Sequence, residues 1–419
     1  MKAYHDKVKG FGIIYDDIYL LNGARTPFGK LCGTLANVSP TDLGIFASRA
    51  AIEKAGIATA DIDQVMVGNI GQSSFDSYFL PRHIALFAGL PQSIPAVMLQ
   101  RICGTGFETI TAASDQITLG KADVALCAGA ENMSLAPTVS YGNRMGYALG
   151  RVEFKDFLWE ALNDTAAVPM GCTAENVAKQ YGITRHDADV FGKLSIDRAI
   201  AATERGYFKD EIVPMNSTVF EADGLKPRKV NLPKKVFNFV TDENIRPSTL
   251  EDMARLGTTF EKDGVQTAAN SSGIVDGGAA AVIAAKSFLN SSGLKPLTRV
   301  VASATSAIDP KVMGLGPVPS IRLLLEMTGL KLEEIGLIEI NEAFAAQFIG
   351  CERELGLNRD ICNVNGGAIA YGHPLAATGL RLSLTLSREM NARKVKYGIA
   401  SACIGGGQGN AILFENTNL

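Results

Sequence analysis

"IEKAGIATADIDQVMVGN" (residues 52–69) and "LEMTGLKLEEIGLIEIN" (residues 325–341) run through the same series twice: a helix end, a glycine, a short polar linker, and an apolar run closing on asparagine. A glycine is where a helix can stop in the left-handed conformation, and a run of apolar residues suits a strand buried on both faces. The chain therefore reads as a duplicated α/β unit. Carried outward in the same register, "ICGTGFETI" meets "YGHPLAATGLRL", which sets Cys103 opposite His373. "ADVALCAGA" meets "VKYGIASACIGGG", which sets Ala128 and Gly129 opposite Cys403 and Ile404, while Asn69 stands opposite Asn341.

Two such units pack about a pseudo-twofold axis, so equivalent loops can meet in one crevice. Cys103, His373, Asn341 and Cys403 are expected there together. Other stretches keep the rhythm: a helix starting at Ser39 and Pro40 and ending near Gly56, and a strand at "DQVMVGN". Residues 133–267 break it. They hold the only tryptophan and a basic stretch, "DGLKPRKVNLPKKVFNF" (223–239), and read as an inserted loop domain. The expected division is 1–132 plus 268–296 for the first half, 133–267 for the insert and 297–419 for the second half.

At 419 residues, 47% hydrophobic and 20% charged, with a mean hydropathy of +0.12, the chain fits a compact soluble protein of more than one packed unit. A net charge of −3 offers no general attraction to nucleic acid or to acidic membranes. Seven scattered cysteines without C-x-x-C spacing argue against disulfides and zinc. There is no signal-peptide pattern at the start, no apolar run of about 18 residues and no peroxisomal address at the end, so a cytoplasmic location is expected.

Cys103 stands at a helix start, where the dipole and free N–H groups favour a thiolate, and Gly104 and Gly106 would let backbone approach a ligand. A small buried, unreactive cysteine is the structural alternative. Of four histidines, His373 precedes a proline that holds it extended before a helix, as suits a base facing a crevice. His5 falls in a tail expected to fray, and His83 and His186 sit in helical patterns. Asn341 ends a buried strand, where it serves either as a helix N-cap or as a donor to a water or an oxyanion. Cys403 precedes three glycines whose amides can form an anion nest or a plain tight turn. A dinucleotide fold is disfavoured, because "CGTGFET" lacks the third glycine and neither glycine-rich loop is followed by the ribose-binding acid.

Together Cys103-Gly104-Thr105, Asn341-Glu342-Ala343-Phe344, Gly372-His373-Pro374 and Cys403-Ile404-Gly405 resemble the four fingerprints of the thiolase family: Cys-x-Ser, Asn-Glu-Ala-Phe, Gly-His-Pro and Cys-x-Gly. "ARTPFGKLCGTL", "AGAENMSLAP", "MGCTAENVAKQYG", "DGVQTAANSSGIVDGGAAAV" and "DPKVMGLGPVPS" are similar to thiolase stretches in the same order, after an extension of about 17 residues. The resemblance implies the duplicated five-layered α/β/α/β/α thiolase fold with its loop domain, and ping-pong acyl transfer on coenzyme A thioesters. It implies Cys103 as the acylated nucleophile, His373 as its activator and Cys403 as the acid/base at the α-carbon. One oxyanion hole would hold His373 and Asn341 through a water, another the N–H groups of Cys103 and Gly405. Arg246 and Ser272 would contact coenzyme A, and Met170 would line the acyl pocket. The second cysteine and the "NEAF" stretch favour a thiolase over a decarboxylating ketoacyl synthase.

Acetyl-CoA, acyl-CoA and free coenzyme A are the expected partners. They act as substrates, with no metal or other cofactor, in a homodimer or homotetramer. Lys226, Arg228, Lys229, Lys234 and Lys235 offer a cationic rim for the nucleotide end, against the plainer reading of a solvated loop. Thr105, Ala376 and Thr378 replace the family's usual Ser, Gly and Ser, Arg101 replaces an Asn, and Pro169 stands where acetoacetyl-CoA-forming members often carry histidine. The expected activity is that of an acetyl-CoA C-acetyltransferase or a short-chain 3-ketoacyl-CoA thiolase. A condensing enzyme with an unusual acyl partner and a non-catalytic acyl-CoA-binding scaffold are the alternatives.

Overall fold

The strand Val275–Ala285 shows how the chain is layered. In the computed structural model, which describes residues 1–419, its Ala280, Val282 and Ala284 pack into one core while Ala279, Ala281 and Ile283 pack into another. That is the two-residue period of a strand buried on both faces. It pairs antiparallel with Ile18–Arg25 on one side and Val124–Glu131 on the other. Gln64–Gly68 follows in parallel beyond Val124–Glu131. The second half repeats the order: Gln408–Glu415 lies antiparallel between Thr298–Ala307 and Tyr397–Ile404, with Leu337–Ile340 in parallel beyond. The stretches matched in the sequence thus hold matching places in the two halves, which join where Thr298 and Arg299 pair with Leu20 and Tyr19.

Three large cores fill a stack of five layers, the middle one lying on both faces of the central helices. Helix Pro40–Ala55, with Ser39 as N-cap and Gly56 left-handed at its end, covers the outer face of the first half. Helix Pro317–Thr328 covers that of the second. Between the sheets, Thr105–Thr118 and Leu375–Arg393 pack against each other. The latter is buried along most of its length, the polar Thr378, Arg381, Ser383, Thr385 and Ser387 included. A Cβ on Gly106 would stand 2.7 Å from the Leu380 nitrogen, and one on Gly104 would stand 2.5 Å from Ile404 Cδ1. The sequence reading gave these two glycines to a ligand. They are instead what lets the central helix and the neighbouring strand come close.

Residues 133–267 form short hairpins and the helices Phe157–Leu162, Met170–Tyr181, Arg185–Glu204 and Leu250–Ala254. Fully buried Arg25 ties them to the first half, donating to Glu211 at 2.5 Å and to both oxygens of Asp242 at 2.7 and 2.9 Å. Arg228 is tied in the same way, to Asp42 at 2.6 Å and Asp76 at 2.7 Å. It pins the hairpin Thr218–Phe220/Arg228–Val230 and is not free to form a cationic rim, because two carboxylates already hold its guanidinium. His5 also departs from expectation. Lys2–Asp6 pairs with Gly10–Ile14, which joins Thr298–Ala307, so the tail is a hairpin on the sheet. All seven cysteines are free thiols, and no helix is long and apolar enough to cross a membrane.

Candidate active site

Cys103 sits in the turn Ile102–Gly104 that opens helix Thr105–Thr118. Ile102 adopts φ 42°, a conformation costly for a β-branched residue and often stored where a side chain must be aimed. Thr105 closes the turn: its hydroxyl accepts from the Arg101 N–H and donates to the Ile102 carbonyl, both at 2.7 Å. Threonine therefore keeps the bonds a serine would make. Burial pushes the Cys103 thiol up to about 11, while the N–H groups of Gly405 and of Cys103 itself, aimed at the sulfur, pull the other way. A helix start alone favours a thiolate. Burial outweighs it, and the resting group is a thiol.

His373 follows Gly372, at φ 95°, and its own N–H donates to the Gly273 carbonyl at 2.9 Å. Nδ1 lies 2.6 Å from the Thr378 hydroxyl, whose one proton goes to the Pro374 carbonyl at 3.1 Å. With its proton on the Pro374 carbonyl, Thr378 accepts from Nδ1, the tautomer that leaves a lone pair on Nε2. Nε2 is buried without a partner. Burial, with the charge of Arg381 behind it, pushes the imidazole down to about 3, so the ring is neutral.

Asn341 is not a helix N-cap: helix Ala345–Leu355 starts after Phe344. Both its amide atoms are buried without partners. Its counterpart Asn69 is fully engaged, donating to the Ala130 carbonyl at 2.8 Å and accepting from the Gln72 N–H at 3.0 Å. One register position thus holds a structural amide in one half and an unused one in the other. Cys403, at the end of Tyr397–Ile404, packs with Met313, Ala343, Met170 and Phe344. Burial, then the neighbouring Cys103, raises its thiol well above the ordinary range.

Of these groups His373 lines a cleft of about 810 Å³, together with Met170, Pro169, Ser272 and Arg246; Met133 and Leu375, from the Cys103 core, and Phe344, packed near Cys403, line it as well. Arg246 is exposed and Ser272 half-buried. Pro169 caps helix Met170–Tyr181, and Met170 lies over Gly405, where any Cβ would run into its Cε. Pro169 thus both opens this helix and lines the cleft. Leu158, Trp159 and Phe260 complete an apolar wall that sequence reasoning missed, since nothing in their local pattern marks them. The tie from Thr378 to His373 was missed too. Its signal was a hydroxyl five residues on, in the first turn of the next helix.

Comparison with known proteins fits this geometry. The thiolase N-terminal domain model matches residues 18–287 and the thiolase C-terminal domain model residues 294–416. The chain is 41% identical over 403 residues to the mitochondrial 3-ketoacyl-CoA thiolase of Bos taurus, covering 96% of this chain and 98% of that one. It is 40% identical over 405 residues to an acetyl-CoA acetyltransferase of Syntrophomonas wolfei, covering 95% and 99%. The crystal structure of human mitochondrial 3-ketoacyl-CoA thiolase in complex with CoA superposes with a TM-score of 0.90 at 39% identity, covering 96% of this chain and 98% of that one. The duplicated layers, Cys103 at a helix start, Cys403 at a strand end and these full-length matches agree, and the chain belongs to the thiolase family.

Proposed function

We propose that this thiolase cleaves a 3-ketoacyl-CoA with the thiol of coenzyme A, and joins two acetyl-CoA molecules in the reverse direction. The observation that carries the proposal is a pair of orphaned buried groups, His373 Nε2 and the Asn341 amide: His373 lies two residues before Leu375, which shares a core with Cys103, and Asn341 two residues before Ala343, which shares one with Cys403. Leaving such groups unpaired costs about 1–3 kcal/mol each, a cost a substrate oxygen and a thiol proton would offset. Cys103 Sγ passes its proton to His373 Nε2 and attacks the keto carbon. The carbon–carbon bond breaks, and the acetyl-CoA carbanion takes the proton of Cys403. His373 passes its proton on to the Cys403 thiolate, takes the proton of coenzyme A thiol as that sulfur attacks the acyl group on Cys103, and returns it to the leaving Cys103. The N–H groups of Cys103 and Gly405, already aimed at the sulfur, suit the oxyanion of the acyl-enzyme steps. Asn341 and His373 suit the thioester oxygen of the carbanion step.

Arg246 at the rim and Ser272 within the cleft are proposed as coenzyme A contacts, and Met170 as the lid of the acyl pocket. We favour short acyl chains, because Met313, Met170 and Phe344 enclose Cys403. A second reading, a longer chain, is favoured by the apolar wall of Leu158, Trp159 and Leu162. Thiolysis of acetoacetyl-CoA and of longer 3-ketoacyl-CoA substrates separates the two. A higher kcat/KM for acetoacetyl-CoA is expected, and a preference rising with length overturns the short-chain assignment. Cytoplasmic residence, supported by the seven free thiols, and a homodimer or homotetramer belong to the same proposal; light scattering reads the latter.

Thr378 supplies a test of the base. Thr378→Val keeps the shape and removes the acceptor that fixes the imidazole tautomer. It should lower kcat by roughly 10²-fold, the low end of what a positioned base contributes, with KM little changed and Thr378→Ser restoring the rate. Full activity in the valine variant would remove Thr378 from the account.

A further inference from the structure

Glu131 ends the strand Val124–Glu131 and is fully buried. Its carboxylate faces four N–H donors. Oε1 accepts from the Gly71 N–H at 2.7 Å and from Asn69 Nδ2 at 3.2 Å. Oε2 accepts from the Ile70 N–H at 3.2 Å and from the Ala376 N–H at 3.3 Å. Ile70 and Ala376 share one small buried core with Cys103, Met133 and Leu375. Ile70 belongs to the loop after the strand Gln64–Gly68 of the first half, and Ala376 to the first turn of the second-half helix that follows His373. One carboxylate therefore grips both walls of the thiol pocket across the boundary between the halves.

We propose that Glu131 is a positioning residue for acylation: by accepting N–H groups from both halves it holds the Cys103 pocket in register with the helix that follows His373. The inference rests on the reading of Cys103 as the acylated nucleophile. An ionised carboxylate offers acceptors to every donor around it, whereas a protonated one, or a glutamine, turns a donor toward an N–H and opens the grip. A misplacement of about 1 Å near reacting atoms costs on the order of a hundredfold in rate.

The ionisation of this group is set to matter. Burial pushes its carboxyl up to about 7, against the pull of the Gly71, Ile70 and Ala376 N–H groups, and Asp276 on the facing strand adds to the rise. Asp276 is itself raised, by burial first, and is held by Ser134. Cys103, held up at about 11, and His373, held down at about 3 with Arg381 behind it, keep their charge states through neutrality. Glu131 does not. Its negative charge also opposes a Cys103 thiolate, so the two effects differ in sign: positioning makes acylation rise as Glu131 ionises, and bare repulsion makes it fall.

The test is the single-turnover rate of acetylation by acetyl-CoA, read by intact-protein mass after quenching. It is measured from about pH 5.5 to about pH 8.5 in wild type, Glu131→Gln and Cys103→Ala, with melting curves for each. The wild-type rate should rise through about pH 7. The glutamine variant, if folded, should be slower by about ten- to a hundredfold and lack that rise. A wild-type rate that is flat or falls across neutrality overturns the inference, even if the variant fails to fold. So does a folded Glu131→Gln that matches wild type or that is slow yet keeps the rise. Acetyl uptake by Cys103→Ala would overturn the nucleophile assignment instead.

Discussion

Replacing Cys103 by alanine should lower thiolysis of 3-ketoacyl-CoA by roughly 10⁴- to 10⁶-fold, the scale seen when a covalent nucleophile is removed. The structure gives the reason for so large an effect. Two N–H groups act on this sulfur, Cys403 neighbours it, and the same chain holds a buried neutral imidazole and a buried amide with no other partner. Both the thiol and the imidazole are buried, so the resting pair is neutral and water has little access to replace the missing sulfur. The cavity left is small, so the fold should survive: a melting temperature close to wild type, together with the lost rate, separates chemistry from stability. Residual turnover within a factor of ten of wild type would contradict the nucleophile role.

Cys403→Ser should divide the reaction. Acetylation by acetyl-CoA needs Cys103, His373 and the two N–H groups, none of which is changed, so the variant should still take up one acetyl group at close to the wild-type rate. Carbon–carbon cleavage or formation needs a proton at the α-carbon, and should fall by about a hundredfold or more with the weaker acid. The geometry supports this division: Cys103 packs with Ile70, Met133, Leu375 and Ala376, whereas Cys403 packs with Met313, Ala343 and Phe344. The two thiols are neighbours set in separate small cores. Normal thiolysis by the serine variant would take Cys403 out of the mechanism, and loss of acetylation along with thiolysis would show that it serves Cys103.

The layered fold was readable because duplication is a long-range signal written in local terms. Gly56 and Gly329 both stop helices in the left-handed conformation, and the strands that follow close on Asn69 and Asn341 in the same register. That register alone set Cys103 opposite His373. What it could not separate was the fate of equivalent residues. Asn69 and Asn341 look alike in sequence, yet one is consumed by the Ala130 carbonyl and the Gln72 N–H while the other is left free.

Burial was the second blind spot. The helix start at Cys103 argues for a thiolate, but the desolvation that overrides it comes from layers far along the chain. Gly104 and Gly106 looked like ligand-facing glycines because their partners, Ile404 and Leu380, lie in the other half. Arg228 looked free because Asp42 and Asp76, which hold it, precede it by many residues. His5 looked frayed because its hairpin rests on Thr298–Ala307. Each of these depends on contacts between segments distant in sequence.

The central claim is that Cys103, and no other of the seven thiols, carries the acyl group between two coenzyme A thioesters. Brief exposure of the wild-type protein to acetyl-CoA, acid quench, proteolysis and mass mapping of every cysteine-containing peptide tests it most directly. The account predicts a single acetyl group, on the peptide containing Cys103, which disappears when free coenzyme A is added before the quench. An acetyl group found on Cys403 or another cysteine, or one on Cys103 that coenzyme A does not remove, would contradict it.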